Sequence, residues 1–225
     1  PRKHVEYVTC MGKPRSPKGR ARVTHERLSQ EYPEAICELD YESPFQLLVA
    51  TIMSAQATDV GVNKATPGLF GKYPTAVALA SADPERDVEP LINTIGLFRG
   101  KAKNIVGTAR MLLEEHGGEV PGGYKELTAL PGVGRKTANV VRSVVLDLPG
   151  LPVDTHVSRL TRRLSITTET DPVKIEFELN PMVPEMERGE FSLRLILHGR
   201  RCCYARKPDC ASCVLADFCP VAGTG

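Results

Sequence analysis

The sequence predicts an all-α protein, on three observations. No stretch alternates polar and apolar residues for long, so no strand is expected. Helix starts recur as a capping side chain followed by proline, at Ser43-Pro44, Asp83-Pro84 and Asp171-Pro172. The segments between them are short, apolar or amphipathic runs that end at glycine or proline, as helices do.

In chain order, residues 1–22 are expected to be a basic, flexible tail, and Thr24 to cap a first helix over 24–31. Ser43 caps the next, which is apolar nearly all round over 45–54 and is therefore expected to be buried. Thr58 or Asp59 caps a helix reaching about 69, and Thr75 follows Tyr73-Pro74 to open a short one to about 80. Asp83-Pro84 starts another, and 91–95 ends at Gly96. Leu97-Phe98-Arg99 is a brief turn before an amphipathic helix over 101–116 that stops at Gly117-Gly118. A short helix over 124–129 precedes Leu130-Pro-Gly-Val-Gly-Arg-Lys136, and a longer one follows from about Arg135. After a Pro/Gly break at 149–152, Asp154 starts a helix over 155–164, Asp171-Pro172 starts one that Pro181 ends, and 187–198 is closed by Gly199.

Composition excludes some classes of function. No apolar run approaches a membrane span, and no apolar leader opens the chain. Net charge is +2 over 225 residues, but it divides unevenly. Residues 1–27 carry eight bases and two acids, leaving −4 for the rest. Such a tail can add salt-sensitive attraction to a polyanion or simply stay solvated. Of seven cysteines, Cys10 and Cys37 stand alone and five crowd the C-terminus.

The stretch 130–136 reads as a helix-hairpin-helix. Pro131 stops the first helix, and Gly132 and Gly134 let the backbone turn without a Cβ in the way. The first amides of the following helix have no partner within it, and the positive helix end favours an anion. Gly132, Val133, Gly134 and Arg135 are thus expected to grip a phosphate backbone, without base information. Lys136 falls in that first turn, where the helix end disfavours a second positive charge and favours the neutral, nucleophilic amine. The following helix, about a dozen residues, is roughly 18 Å long. The link from 147 to 153 can span about 23 Å. Asp154 can therefore return to the Lys136 end and face the same cleft, as a carboxylate serving developing positive charge or as a plain N-cap; spacing leaves both open.

Cys203, Cys210, Cys213 and Cys219 form C-x6-C-x2-C-x5-C. With no export signal, a metal centre is favoured over disulfides. Four thiolates suit a structural zinc or a [4Fe–4S] cluster equally, and either Cys202 or Cys203 can be the first ligand. Arg206 and Lys207, between the first two ligands, would present fixed positive charge to a phosphate backbone.

These strings, with Met53-Ser-Ala-Gln-Ala-Thr-Asp-Val, Val62-Asn-Lys-Ala-Thr, Thr94-Ile-Gly-Leu, Val153-Asp-Thr-His and Leu197-His-Gly-Arg, resemble bacterial endonuclease III over about residues 28–220. The resemblance implies a helix-hairpin-helix DNA glycosylase with AP-lyase activity, a repair enzyme for duplex DNA holding damaged pyrimidines or abasic sites. It implies two helical lobes flanking a DNA cleft: a six-helix barrel over 38–148, with the hairpin at 124–146, and a lobe of 1–37 and 149–225 around a [4Fe–4S] cluster. It implies Cys203, not Cys202, as first ligand, by its distance from His198-Gly199-Arg200. It implies Lys136 as the nucleophile at C1′, Asp154 as its assistant, and Gln56 and Leu97 as the residues filling the gap left by an everted nucleotide. It implies a monomer, cytoplasmic and associated with the nucleoid. Three features depart from the pattern: the longer basic N-terminus, no aromatic residue within Ser192-Leu-Arg194 just before Leu195-Ile-Leu-His-Gly, and Phe-Arg-Gly-Lys after Leu97. Two other readings are a non-catalytic hairpin DNA-binding protein with a structural metal and a monofunctional mismatch or adenine glycosylase; neither needs Lys136.

Overall fold

A computed structural model describes residues 13–223. Arg2, Lys3 and Cys10 of the expected tail lie outside the described residues. Among the described residues there are helices and no strands, as expected: α1 (Pro17–Glu31), α2 (Pro44–Met53), α3 (Asp59–Lys72), α4 (Ala76–Ala80), α5 (Glu89–Ile92), α6 (Phe98–His116), α7 (Tyr124–Ala129), α8 (Arg135–Val144), α9 (Thr155–Arg163), α10 (Pro172–Leu179) and α11 (Arg188–Arg201). The capping residues act as the sequence indicates. Ser43, Thr58, Thr75, Asp154 and Asp171 each accept an amide of the first turn. Asp83 caps a π-turn, Pro84–Val88, rather than an α-helix.

Two expectations at helix ends are corrected. The first helix starts at Pro17, not Thr24, because Ser16 accepts the Gly19 amide at 3.1 Å and Pro17 takes the first helical position. Thr24 is buried in its interior. Gly199 does not close the last helix, which continues to Arg201. A Cβ on Gly199 would lie 2.6 Å from His156 Nδ1 and 3.0 Å from the Arg159 guanidinium. The glycine is a close-approach site between α9 and α11, not a stop.

The chain divides into two compact units. One comprises residues 36–152 and 184–193, the other 1–35, 153–183 and 194–225. In the first, α2 lies at the centre of the core, with Phe45 to Met53 all buried. Each of Leu47, Leu48, Ile52 and Met53 contributes about 1.5–3 kcal/mol by leaving water. Around it pack α3, α6 and α8, and α6 also packs on α4.

The second unit is joined from distant segments. Arg20 of α1 donates to the carbonyls of Phe218 (2.9 Å) and Leu164 (3.3 Å). Arg27 donates to the Val214 carbonyl at 2.8 Å, pairs with Asp217, and stacks 5.3 Å from the Phe218 ring. The guanidinium of Arg27 holds the Asp217 carboxyl below the usual carboxylate range. Two of the basic groups counted in the N-terminal run therefore brace the C-terminal segment.

Candidate active site and metal centre

The hairpin joins α7 to α8. Leu130 and Val133 are buried, which anchors both sides of the turn, and the Val133 amide donates to the Leu130 carbonyl at 3.1 Å. Gly132 has φ +76°, a conformation glycine alone takes without cost. A Cβ there would also sit 2.8 Å from the Asn104 side-chain nitrogen of α6. Thr108, one turn further along α6, donates to the Pro131 carbonyl at 2.8 Å. Gly134 differs from the expectation. Its φ of −91° is open to any residue, and nothing lies within 4 Å of its would-be Cβ. It makes no turn; it leaves space free beside the helix start.

No side chain caps α8, so its first amides keep their hydrogen-bonding capacity. Lys136 is exposed in that first turn. Arg135 lies with its guanidinium 4.7 Å from the Tyr124 ring centre. The arrangement offers an anion the amides of a helix start with an amine beside them.

Gln56 and Leu97 belong to the same unit as the hairpin, and both are exposed. Both adopt left-handed backbone, with φ 53° and 59°. For a residue with a Cβ this costs about 1–2 kcal/mol, a strain that clusters at working surfaces. Leu97 is 64 % exposed, so it is not a core leucine. The two turns are neighbours, since a Cβ on Gly96 would lie 3.9 Å from the Gln56 carbonyl oxygen. Leu97, Phe98, Lys101, Asn104 and Gly132 help line a cavity of about 530 Å³. Lys101 was not visible in the sequence as special. It is 4 % exposed, its Nζ has no hydrogen-bond partner, and burial pushes its amine below the ordinary lysine value.

Asp154, in the second unit, is half-buried and caps α9 through Oδ1, which accepts the Val157 amide at 2.8 Å. It lines a groove of about 860 Å³ whose walls include Ser158, Arg159, Arg162 and Thr167. His156 beside it is lowered below the ordinary histidine value, chiefly by burial.

The cysteine segment has no helix. Cys203, Cys210, Cys213 and Cys219 line one small cavity with Arg163, and Cys202 lines it as well. Arg163 donates to the Cys203 sulfur (3.2 Å) and to the carbonyls of Tyr204 (2.7 Å) and Ala205 (3.0 Å). Arg159 donates to the carbonyls of Gly199 (3.1 Å) and Cys203 (2.9 Å). Five cysteines around one cavity, with guanidinium groups beside them to balance negative charge, supply the four thiolates an iron–sulfur cluster needs. The Cys213 thiol is pushed up to about 12, first by its hydrogen bond with Cys202 and then by burial. Arg206 and Lys207 are exposed on the same loop, and Lys207 has φ 51°.

Comparison with known proteins agrees with these features. A family profile for HhH-GPD superfamily base excision DNA repair proteins matches residues 49–185. A profile for the iron-sulfur binding domain of endonuclease III matches 203–219, starting on Cys203. Endonuclease III of Synechocystis sp. is 53 % identical over 87 % of this chain and 89 % of its own length. That of Escherichia coli is 46 % identical over 86 % and 91 %. A solved non-covalent endonuclease III–DNA complex superposes with TM-score 0.87 at 40 % identity, covering 92 % of this chain and 97 % of the other. A trapped endonuclease III–DNA covalent intermediate matches with the same figures. A thermostable thymine-DNA glycosylase shares the fold, with TM-score 0.80 at 22 % identity. An uncapped hairpin helix, a four-sulfur loop and likeness over nearly the whole chain converge, and the chain belongs to the endonuclease III family of base-excision DNA repair proteins.

Proposed function

We propose that Lys136 is the nucleophile of this enzyme, a bifunctional DNA glycosylase and AP lyase carrying a [4Fe–4S] cluster. One observation carries the assignment: an exposed lysine in the first turn of an uncapped helix, beside amides that suit a DNA phosphate. The neutral amine attacks C1′ of a damaged pyrimidine nucleotide, and the base leaves with the bonding electron pair. Loss of the ring oxygen from C1′ yields the Schiff base. Removal of a C2′ proton then expels the 3′-phosphate and cuts the strand. Asp154 serves this chemistry as a carboxylate, easing positive charge on the sugar and moving protons to and from the amine.

A base within the duplex cannot reach a protein amine, so the nucleotide is everted. Leu97 and Gln56 fill the vacancy; their strained, exposed backbone supports this role. Gly132, Val133, Gly134 and Arg135 grip the strand through its phosphates, and Arg206 and Lys207 add charge from the loop. Cys203, Cys210, Cys213 and Cys219 hold the cluster, which, when bound, fixes that loop. The enzyme acts as a monomer on duplex DNA in the cytoplasm. No helix among the described residues is long and apolar enough to cross a membrane.

Borohydride trapping tests the nucleophile. The parent protein, incubated with a duplex holding one oxidised pyrimidine and then reduced, should form a covalent adduct. Lys136→Gln should form none and lose strand cleavage by about 10³-fold or more. Cleavage retained at the parent rate in that variant would falsify the assignment. Asp154→Asn should keep DNA affinity while turnover falls by about 10²-fold. Parental turnover would leave Asp154 as a cap alone.

A further inference from the structure

We infer a second metal site in this chain, alternative to the cluster: a zinc ion held by Nε2 of His198 and the sulfurs of Cys202 and Cys213. Those three atoms all lie within 4.8 Å of one another. The Cys213 sulfur is 3.4 Å from His198 Nε2. Zinc bonds of about 2.3 Å to sulfur and 2.0–2.1 Å to nitrogen, at the tetrahedral angle, set that separation at about 3.6 Å. One of the three protein-ligand separations therefore already lies close to the value zinc sets.

The surroundings complete the case. His198 is buried, and its Nδ1 lies 3.1 Å from the Tyr32 hydroxyl, which orients the ring as a supporting partner does at metal sites. Cys202 is buried too, its sulfur 3.3 Å from the Asp209 carbonyl. A polar cavity of about 400 Å³, lined by Tyr32, His198, Cys202, Asp209 and Ser212, gives a hydrated ion a route in. It also leaves room for water as the fourth ligand, the usual partner of three protein ligands. Binding displaces one proton from each thiol, and the imidazole enters neutral, so two protons are released per ion. Cys202 lines the four-cysteine cavity without being one of the proposed cluster ligands, and it is the thiol that distinguishes the zinc site from the cluster. Because Cys213 is shared, zinc and cluster exclude each other; that exclusion rests on the ligand set proposed above.

The test grows the full chain in iron-limited, zinc-supplemented medium and in iron-replete medium, purifies it without oxygen, and measures zinc, iron and sulfide. Cobalt(II) replaces zinc for spectroscopy. The parent from iron-limited cells should carry roughly one zinc and show thiolate–cobalt charge-transfer and tetrahedral d–d bands. Cys202→Ser and His198→Gln should weaken zinc binding at least tenfold, and Cys202→Ser should keep its iron in iron-replete cells. Tyr32→Phe, which keeps the ring, should weaken zinc binding about tenfold through the histidine. Cys203→Ser and Cys210→Ser should lose iron and keep zinc at parental affinity. Parental zinc affinity in both Cys202→Ser and His198→Gln overturns the site, as does loss of zinc in Cys203→Ser and Cys210→Ser. Full iron in Cys203→Ser would instead sink the cluster assignment, while the zinc measurements on Cys202 and His198 still decide this site.

Discussion

The hairpin and the cysteine segment both present a site on irregular backbone, yet they hold it by opposite means. The hairpin rests on apolar burial: Leu130 and Val133 point inward and α6 supports the turn through Thr108 and Asn104. The cysteine segment buries few large side chains, Leu215 and Phe218 among them, and is otherwise tied through carbonyls by Arg20, Arg27, Arg159 and Arg163. A hydrophobic anchor tolerates loss of any one polar contact. A framework of charge-assisted hydrogen bonds around sulfur depends on its metal for the remainder. The hairpin turn should thus be rigid without the cofactor and the loop should not.

Removing the metal should separate the two regions most. Cys210→Ser should lower Tm by about 10 °C or more, corresponding to several kcal/mol. Hydrogen exchange should rise over 203–219 while amides of α2 and α8 stay protected. Uniform loss of protection across both units would break the contrast. Next in size is Gly132→Ala, where positive φ and the Asn104 contact together cost about 2–3 kcal/mol. Chemical denaturation should show the loss, with weaker binding to undamaged duplex and unchanged iron content. Arg163→Lys keeps the charge but removes the fork that serves Tyr204, Ala205 and Cys203 together. It should cost about 1 kcal/mol and increase exchange in the loop alone. The smallest change is a gain. Leu97→Gly relieves the left-handed strain but adds freedom to the unfolded chain, a net stabilisation of about 0.5 kcal/mol. Turnover on a lesion duplex should fall about tenfold in the same variant, because no wedge remains. A stabilised variant with parental turnover would remove Leu97 from the mechanism.

The helices were legible wherever a side chain caps and proline follows, because that chemistry is local. Ser43, Thr58, Asp154 and Asp171 needed only their neighbours in sequence. Ser16-Pro17 carries the same signature, obscured by the basic run around it. The hairpin was legible from its proline and glycines, although Gly134 proved to serve space and not conformation. What escaped was set by tertiary packing. Gly199 reads as a helix end and is instead a gap filled by His156. Leu97 has no local reason to adopt a left-handed turn. Lys101 reads as one more surface base on an amphipathic helix and is buried. The sites of the two units were reachable as residue types; their strain, burial and bracing were not, since these arise between segments far apart in sequence.

The discontinuity of the second unit governs when its loop can form. Residues 36–152 can begin to collapse as they emerge from the ribosome, but α1 must wait for residues 214–218 before Arg20 and Arg27 meet their carbonyl partners. The five cysteines from 202 to 219 follow every described helix in chain order, so they leave the ribosome after those helices. On the ligand sets proposed above, the loop takes its metal only after those helices are made, and the metal content should follow the ratio of iron to zinc available at that point.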